Sequence, residues 1–492
     1  MRLPDVTVSA VDAVRSAGAY VADKLTPTVR LGVTGLSGSG KTVFITALVR
    51  TLIAGGRLPF LKVEAEGRLL RAWLEPQPDD SLPRFELETH CAALAADPPR
   101  WPESTRRISE LRLVLEYLPR SRLLRQLGSR RLNVDIVDYP GEWLVDLGLL
   151  DKDYATWSAE ALTLARSSRR VANARAFLDL LPRLDPAAAQ EEPLALEAAA
   201  AFTTYLGRQR TSGTAYATLG PGRFLMPGDL AGSPLLTFCP LDMAPGASIG
   251  RGTLAAMMAR RFESYKTHVV RPFFRDHFAR IDRQIVLVDA LGALDAGRDA
   301  LADLEQALEA VLRAFRPGQN SWLSALIGRR VERLLMAATK ADHLHHKSHD
   351  RLERVLRLLT DRAIARASAA GARVDVVALA ALRATREAEA QQAGTVYPLI
   401  VGVPMAGEWI DDKLFDGLRE TAIFPGDLPD RPEEALAAAE AGRSPAAGGE
   451  TLRIVKFRPP RIPLGAADGL GSALPHIRLD RALEFLIGDR LT

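Results

Sequence analysis

The sequence predicts an α/β fold, a mostly parallel sheet with helices on both faces, carrying a large inserted helical domain and a C-terminal α+β extension. Three observations predict it. First, β-rich runs recur along the chain: "VRLGVT" (29–34), "ISELRLVLEY" (108–117), "RLNVDIVDYPGEW" (131–143), "RQIVLVDAL" (283–291), "LLMAATKAD" (334–342) and "RVDVVALAALRAT" (373–385). The near-continuous apolar run at 283–291 suits a parallel strand covered on both faces. Second, a glycine-rich octet, "GLSGSGKT" (35–42), lies between the first strand and "TVFITALVRTLI" (42–53), whose apolar residues fall at helical spacing. Third, about 140 residues separate Gly141 from "RQIVLVDAL", far beyond a connecting loop, so they must hold structure of their own.

Composition bounds the function. Of 492 residues, 47% are hydrophobic and 25% charged, which is ordinary globular material. A net charge of +4 is small for this length and argues against a dedicated nucleic-acid binder. Cys91 and Cys239 cannot build a disulfide framework and are expected as buried small hydrophobes. No uninterrupted apolar stretch reaches about 18 residues, so no membrane-spanning helix is expected. Residues 1–25 lack the layout of a signal peptide and read as a weak amphipathic helix, either a packing element or one on a membrane surface. The expected location is the cytoplasm, with a peripheral contact at the inner membrane left open.

The octet fits G-x-x-x-x-G-K-[ST]. Gly35, Ser37, Gly38, Ser39 and Gly40 let backbone N–H groups turn inward around phosphate oxygens. Lys41 brings positive charge to the β- and γ-phosphates, the Thr42 hydroxyl is a ligand for Mg²⁺, and Val43 continues the helix whose positive end faces the anion. Downstream, Asp138 to Gly141 forms D-x-x-G at the end of a strand. Asp138 there can hold Mg²⁺ opposite Thr42, and the Gly141 N–H can approach a γ-phosphate. Thr339-Lys340-Ala341-Asp342 closes the set. A carboxylate at 342 accepts from both N1–H and the exocyclic amine of guanine, a pair adenine does not offer. The Lys340 stem can lie along the base. Asp342 as a mere helix cap is the competing reading.

These motifs, in this order, resemble the Ras-like branch of P-loop GTPases. "RLGVTGLSGSGKT", "DPPRWPESTRRISELRL", "DIVDYPGEWLVDL", "PGRFLMPGDLAGSP", "AATKADH" and the tail "LPHIRLDRALEFLIGDRL" resemble more closely the YcjX-like proteins, a bacterial family described as GTP-binding and stress-induced. The resemblance spans nearly the whole chain. It implies a Ras-like nucleotide domain with GTP or GDP and Mg²⁺ as ligands, and it leaves a protein effector unidentified. In such enzymes a loop before the second strand supplies a Thr that senses Mg²⁺ and γ-phosphate; here Thr105 is the candidate, with Ser104 and Ser109 as rivals. Arg100, Arg106 and Arg107 in the same loop are candidates for an internal arginine finger. Glu142 stands where many Ras-like enzymes carry a water-orienting Gln. Its charge would repel the γ-phosphate, so slow turnover is expected. Ala381 and Leu382 fall where the family places a backbone contact to the guanine, although "AALR" matches the usual S-A-K poorly.

The expected domains are an N-terminal helix (1–25), a discontinuous nucleotide domain (26–142 and 281–386), an inserted helical domain (143–280) and a C-terminal extension (387–492). "TLAAMMARRFESYKTHVVRPFFRDHFARI" reads as a long helix interrupted near Pro272. "TVYPLIVGVPM" and "TLRIVKFRPP" read as strands, residues 431–450 as a mobile loop, and the tail as an amphipathic helix packing on the body. "HLHHKSH" (343–349) reads as a solvated loop, since no nearby ligand set completes a metal site. Alongside a slow GTPase switch, two readings stay open: an ATP-driven motor or chaperone-like ATPase, and a nucleotide-stabilised scaffold without hydrolysis.

Overall fold

A computed structural model describes residues 26–36, 38–103, 107–211, 220–244, 248–313, 331–369, 371–392, 394–410, 412–447, 451–462 and 474–492. The predicted N-terminal helix, Ser37, Ser104, Thr105 and Arg106 lie outside these residues.

Seven strands form the central sheet: β1 (Thr28–Gly35), β2 (Leu69–Glu75), β3 (Ser109–Tyr117), β4 (Arg130–Asp138), β5 (Arg283–Val288), β6 (Arg333–Ala338) and β7 (Arg373–Ala378). Their order is β2-β3-β4-β1-β5-β6-β7. The β4-β1-β5-β6-β7 part is parallel, and β2 and β3 add an antiparallel edge. Period-two alternation splits the apolar residues between two faces. Leu31, Val33, Ile285 and Leu287 join the helix Lys41–Ile53 in one core, and Val137, Val286, Val288 and Met336 join the other. Both faces are covered, as the apolar run in β5 requires. The edge strand β2 carried no recognisable signal, because "LLRAWLE" is partly exposed along most of its length.

Between β4 and β5 the described residues are mainly helical. Tyr154–Ala165, Val171–Leu180, Glu192–Thr211 and Leu254–Tyr265 pack around an aromatic cluster centred on Trp157, which stacks on Phe262 with centroids 5.0 Å apart. This core is continuous with one face of the sheet. The predicted interruption near Pro272 is a π turn, Lys266–Val270, followed by a helix with Pro at its start. The wider turn absorbs the backbone partner that proline removes.

The C-terminal residues add a three-stranded sheet, Arg386–Gln392, Thr395–Gly402 and Thr421–Ile423. The tail helix Leu479–Ile487 buries Leu479, Ala482, Leu483, Leu486 and Ile487 on the same face as Lys41–Ile53. Three expectations are corrected. Within 431–450, Pro432–Glu440 is a helix, because Ala435 and Ala439 at i, i+4 let it pack closely on His349–Ala369. "TLRIVKFRPP" is extended chain with one bridge, Phe457 to Pro404, and two prolines bar its continuation. In "HLHHKSH", His343, His345 and His349 are buried, and His346 and Lys347 are exposed. Burial holds the three buried imidazoles below the usual histidine range. Glu387, distant in sequence, reaches this run, with its Oε2 2.7 Å from His346 Nδ1 and 3.8 Å from His345 Nε2.

Candidate functional site

Parallel strands β1, β4, β5, β6 and β7 all end at the same edge of the sheet, which brings their following loops together. Gly40 has φ +84°, a left-handed conformation that glycine adopts without strain, and it starts the helix at Lys41. Gly141 has an ordinary φ of −63°, but a Cβ there would stand 2.9 Å from the backbone C and O of Gly35. Its glycine is therefore a requirement of close approach between the loop after β4 and the loop after β1. The Gly141 N–H donates to the Gly35 carbonyl at 3.3 Å, a different partner from the phosphate that the motif implies.

One cavity of about 310 Å³ runs along these loops. Gly35, Gly38, Ser39, Gly40, Lys41, Thr42 and Val43 line it from the first loop, Pro140 and Glu142 from the second. Thr339, Lys340 and Asp342 follow from the loop after β6, and Ala381 and Leu382 from the loop after β7. Lys41 Nζ is bonded to Asp138 Oδ1, with both side chains nearly or fully buried. Asp138 Oδ2 is buried with no hydrogen-bond partner among the described residues. That orphaned oxygen fits a hard divalent cation, and Thr42, the chain neighbour of the lysine it pairs with, is buried as well.

Asp342 is held from two sides. Its Oδ2 accepts the Ala384 N–H at 2.7 Å, and its carbonyl accepts the Thr385 hydroxyl. It caps no helix: the 3₁₀ turn Ala341–His343 has Lys340 at its N-cap, in a left-handed conformation with φ 60°. Lys340 Nζ bonds Asp289 at the end of β5. The loop carrying Ala381 and Leu382 is fastened by the tail, since Ala380 and Ile477 exchange backbone hydrogen bonds of 3.1 and 2.8 Å.

Of the predicted arginines, the two within the described residues are not brought in. Arg100 is exposed and outside the cavity lining, and Arg107 is exposed and paired with Glu86 at 3.2 Å. Among the described lining residues the cations are Lys41, Lys340 and Lys456.

Sequence reasoning missed an aromatic wall beside Asp342. Trp101 Nε1 donates to the Phe457 carbonyl at 2.7 Å, and His343 meets the Phe457 ring edge-on at 5.3 Å. Met226, from the helical segment, and Met405 complete this lining. Trp101 lies in the proline-rich stretch "DPPRWPESTRR" ahead of β3, a visible signal, whereas Phe457 has no local signal.

The residues after D-x-x-G are gripped by that helical segment. A Cβ on Gly222 would lie 2.2 Å from the Glu142 carbonyl oxygen. Asp146 accepts the Gly222 N–H at 2.6 Å and the Tyr265 hydroxyl at 2.5 Å, and the Arg223 guanidinium lies 3.3 Å over the Trp143 ring. Burial pushes the Asp146 carboxyl up to about 6.

A sequence model of the family described as "YcjX-like family, DUF463" matches residues 29–491. The chain is 38% identical over 474 residues to the "Ras-like GTPase YcjX" of Escherichia coli (strain K12), covering 94% of this chain and 96% of that protein. It is 34% identical over 487 residues to the protein of the same name from Shewanella oneidensis, covering 94% of each. This chain belongs to the YcjX-like family.

Proposed function

We propose that this protein binds guanine nucleotide and hydrolyses GTP slowly with Mg²⁺, working as a conformational switch. The observation that carries the reading is a single cavity lined by Lys41 and Thr42, by Glu142, and by Thr339, Lys340 and Asp342. The printed name of the relatives, a Ras-like GTPase, supports the same reaction class. Thr42 and Asp138 are the residues that would hold Mg²⁺, which would supply charge at the β- and γ-phosphate oxygens. Lys41 places its ammonium on the triphosphate, and the fixed carboxylate of Asp342 selects guanine over adenine.

Slow turnover follows from what lines the cavity. Glu142 is an acid next to where negative charge gathers, standing where many Ras-like enzymes carry a neutral, water-orienting glutamine. Switch behaviour follows from the grip on Glu142, Trp143 and Asp146, since displacement there must move Gly222 and its neighbours. A role under stress rests on the family resemblance alone. An ATP-driven motor is disfavoured because it would leave Asp342 without a role in base choice.

The test is competition binding of GTP and ATP to the wild type and to Asp342→Ala, with phosphate release followed in parallel. GTP should win, and Asp342→Ala should cost about 3 kcal/mol of that preference, roughly a hundredfold. Mg²⁺-dependent phosphate release should vanish in Lys41→Ala. Equal affinity for the two nucleotides, or a preference untouched by Asp342→Ala, would sink the reading.

A further inference from the structure

The far end of the sheet carries a surface that nothing in the nucleotide site requires. Residues 118–129 join β3 to β4, and residues 120–131 hold Arg120, Arg122, Arg125, Arg130 and Arg131 with no Asp or Glu. Leu123 and Leu127, in the same stretch, are 77% and 82% exposed, the two barest large hydrophobics among the described residues. A lone exposed leucine needs no explanation. Two bare leucines four residues apart, set among five arginines, are a different matter. The strands beneath them are ordinary core, with Leu113, Leu115, Tyr117, Leu132 and Val134 all buried. The chain therefore buries its apolar residues up to the hairpin tip and then presents them.

The neighbouring surface continues the pattern. The β2–β3 pairing is irregular between Leu69 and Arg71, and Leu70 at that irregularity is 51% exposed. The nearby acids are already engaged: Glu116 by Arg71 and Ser129, and Glu66 by Arg68. The arginines of the tip thus leave a net positive face. Arg125 Nε donates to the Pro119 carbonyl at 2.7 Å and so shapes the loop, and the Arg131 guanidinium lies 5.2 Å over the Trp73 ring.

We propose that this tip docks the protein on an anionic lipid bilayer, with Leu123 and Leu127 entering the interface and the arginines meeting the headgroups. Charge complementarity selects the occupant. A polybasic face gains attraction to an anionic membrane with each cation, and apolar side chains supply the second signal that stable peripheral binding needs. A nucleic acid would use the arginines but has no use for two bare aliphatic side chains at the apex. The orientation is workable. β4 runs from Arg130 at the tip to Asp138 at the cavity, about 26 Å at 3.3 Å per residue. A docked molecule would keep its nucleotide cavity turned away from the bilayer, so the inference stands independently of the proposed reaction.

The experiment is co-sedimentation of the full chain with vesicles of phosphatidylglycerol and phosphatidylethanolamine, against vesicles of phosphatidylcholine alone. Binding is expected only to the anionic vesicles. It should fall as salt rises from about 0.1 M to about 1 M, where the Debye length shrinks from roughly 10 Å to roughly 3 Å. Leu123→Ser with Leu127→Ser, and separately Arg120→Glu with Arg122→Glu, should each raise the lipid needed for half-binding by about tenfold or more. Thermal melting and GTP binding should stay at wild-type values in both variants, which separates loss of docking from loss of fold. Four outcomes overturn the proposal: no wild-type binding to anionic vesicles, equal binding to phosphatidylcholine, undiminished binding by both variants, or variant-sensitive capture of an RNA duplex without vesicle binding. Undiminished binding would assign the contact to another surface, such as residues 1–25.

Discussion

Replacing Gly222 by alanine tests whether the helical segment and the loop after β4 move as one. The added Cβ would stand 2.2 Å from the Glu142 carbonyl oxygen, 2.7 Å from its carbon and 3.2 Å from the Trp143 nitrogen. Ordinary carbon–oxygen contact lies near about 3.3 Å, so the overlap is about 1 Å. All three atoms are backbone, so no side-chain rotation relieves it. The conformation of Gly222 is not left-handed, so the alanine brings no dihedral strain and the effect is steric alone. Overpacking of this kind costs about 1–3 kcal/mol. Relief requires either that Pro221–Met226 withdraw, against the Gly222–Asp146 bond, or that Glu142 shift into the cavity it lines. A 1 Å misplacement of a reacting geometry can cost about a hundredfold in rate. Single-turnover phosphate release should therefore fall by about ten- to a hundredfold. GTP affinity should change only a few-fold, because Lys41 and Asp342 are untouched. Wild-type melting together with wild-type turnover would refute the contact. Lost stability with unchanged turnover would refute the coupling.

Other substitutions probe separate parts. Gly141→Ala pushes against the Gly35 backbone with an otherwise acceptable φ, so calorimetry should show GTP affinity falling by about tenfold; unchanged affinity would show the two loops are free to part. Asp146 carries a carboxyl raised from 3.8 to about 6 by burial. Its folded form holds the proton more tightly than the unfolded form, so its favourable contribution is full below about pH 4 and lost as pH rises through about 6. The span is worth about 3 kcal/mol. Urea midpoints of Asp146→Asn should flatten across that window, and curves parallel to wild type would contradict the assignment. Trp157→Ala removes a ring stacked on Phe262 and edge-on to Phe202 and Phe238, and should cost about 3–5 kcal/mol by denaturant unfolding; a loss under about 1 kcal/mol would show that the helical core closes over the gap.

What could be read from the sequence were features carried by short windows. The octet at 35–42, Asp138 to Gly141 and Thr339 to Asp342 each follow a strand whose period and burial agree, and parallel strands deliver such loops to one edge. What could not be read was assembled across the chain. Trp101, Met226, His343, Met405 and Phe457 share a cavity wall although hundreds of residues separate some of them. The histidine run looked polar by composition, yet the 3₁₀ turns that follow β6 fold three of its rings inward. Residues 431–450 read as a mobile loop because they are rich in alanine, glutamate and glycine and hold few large apolar residues. An alanine pair at i, i+4 against a long helix outweighed that composition. Arg100 failed for a plainer reason: proximity in sequence to Trp101 did not turn its side chain the same way.

The P-loop lysine and the D-x-x-G aspartate look like two independent contacts in the sequence, and the structure makes them one. Lys41 and Asp138 neutralise each other in a buried pair, so Lys41 cannot reach a triphosphate without leaving Asp138 exposed to low dielectric as a bare carboxylate. Breaking a buried pair in that way costs about 3–5 kcal/mol. The approaching phosphates are anionic and make the penalty worse. On the proposed reading only a cation held by Asp138 and Thr42 offsets it, so nucleotide and divalent cation are obliged to bind together.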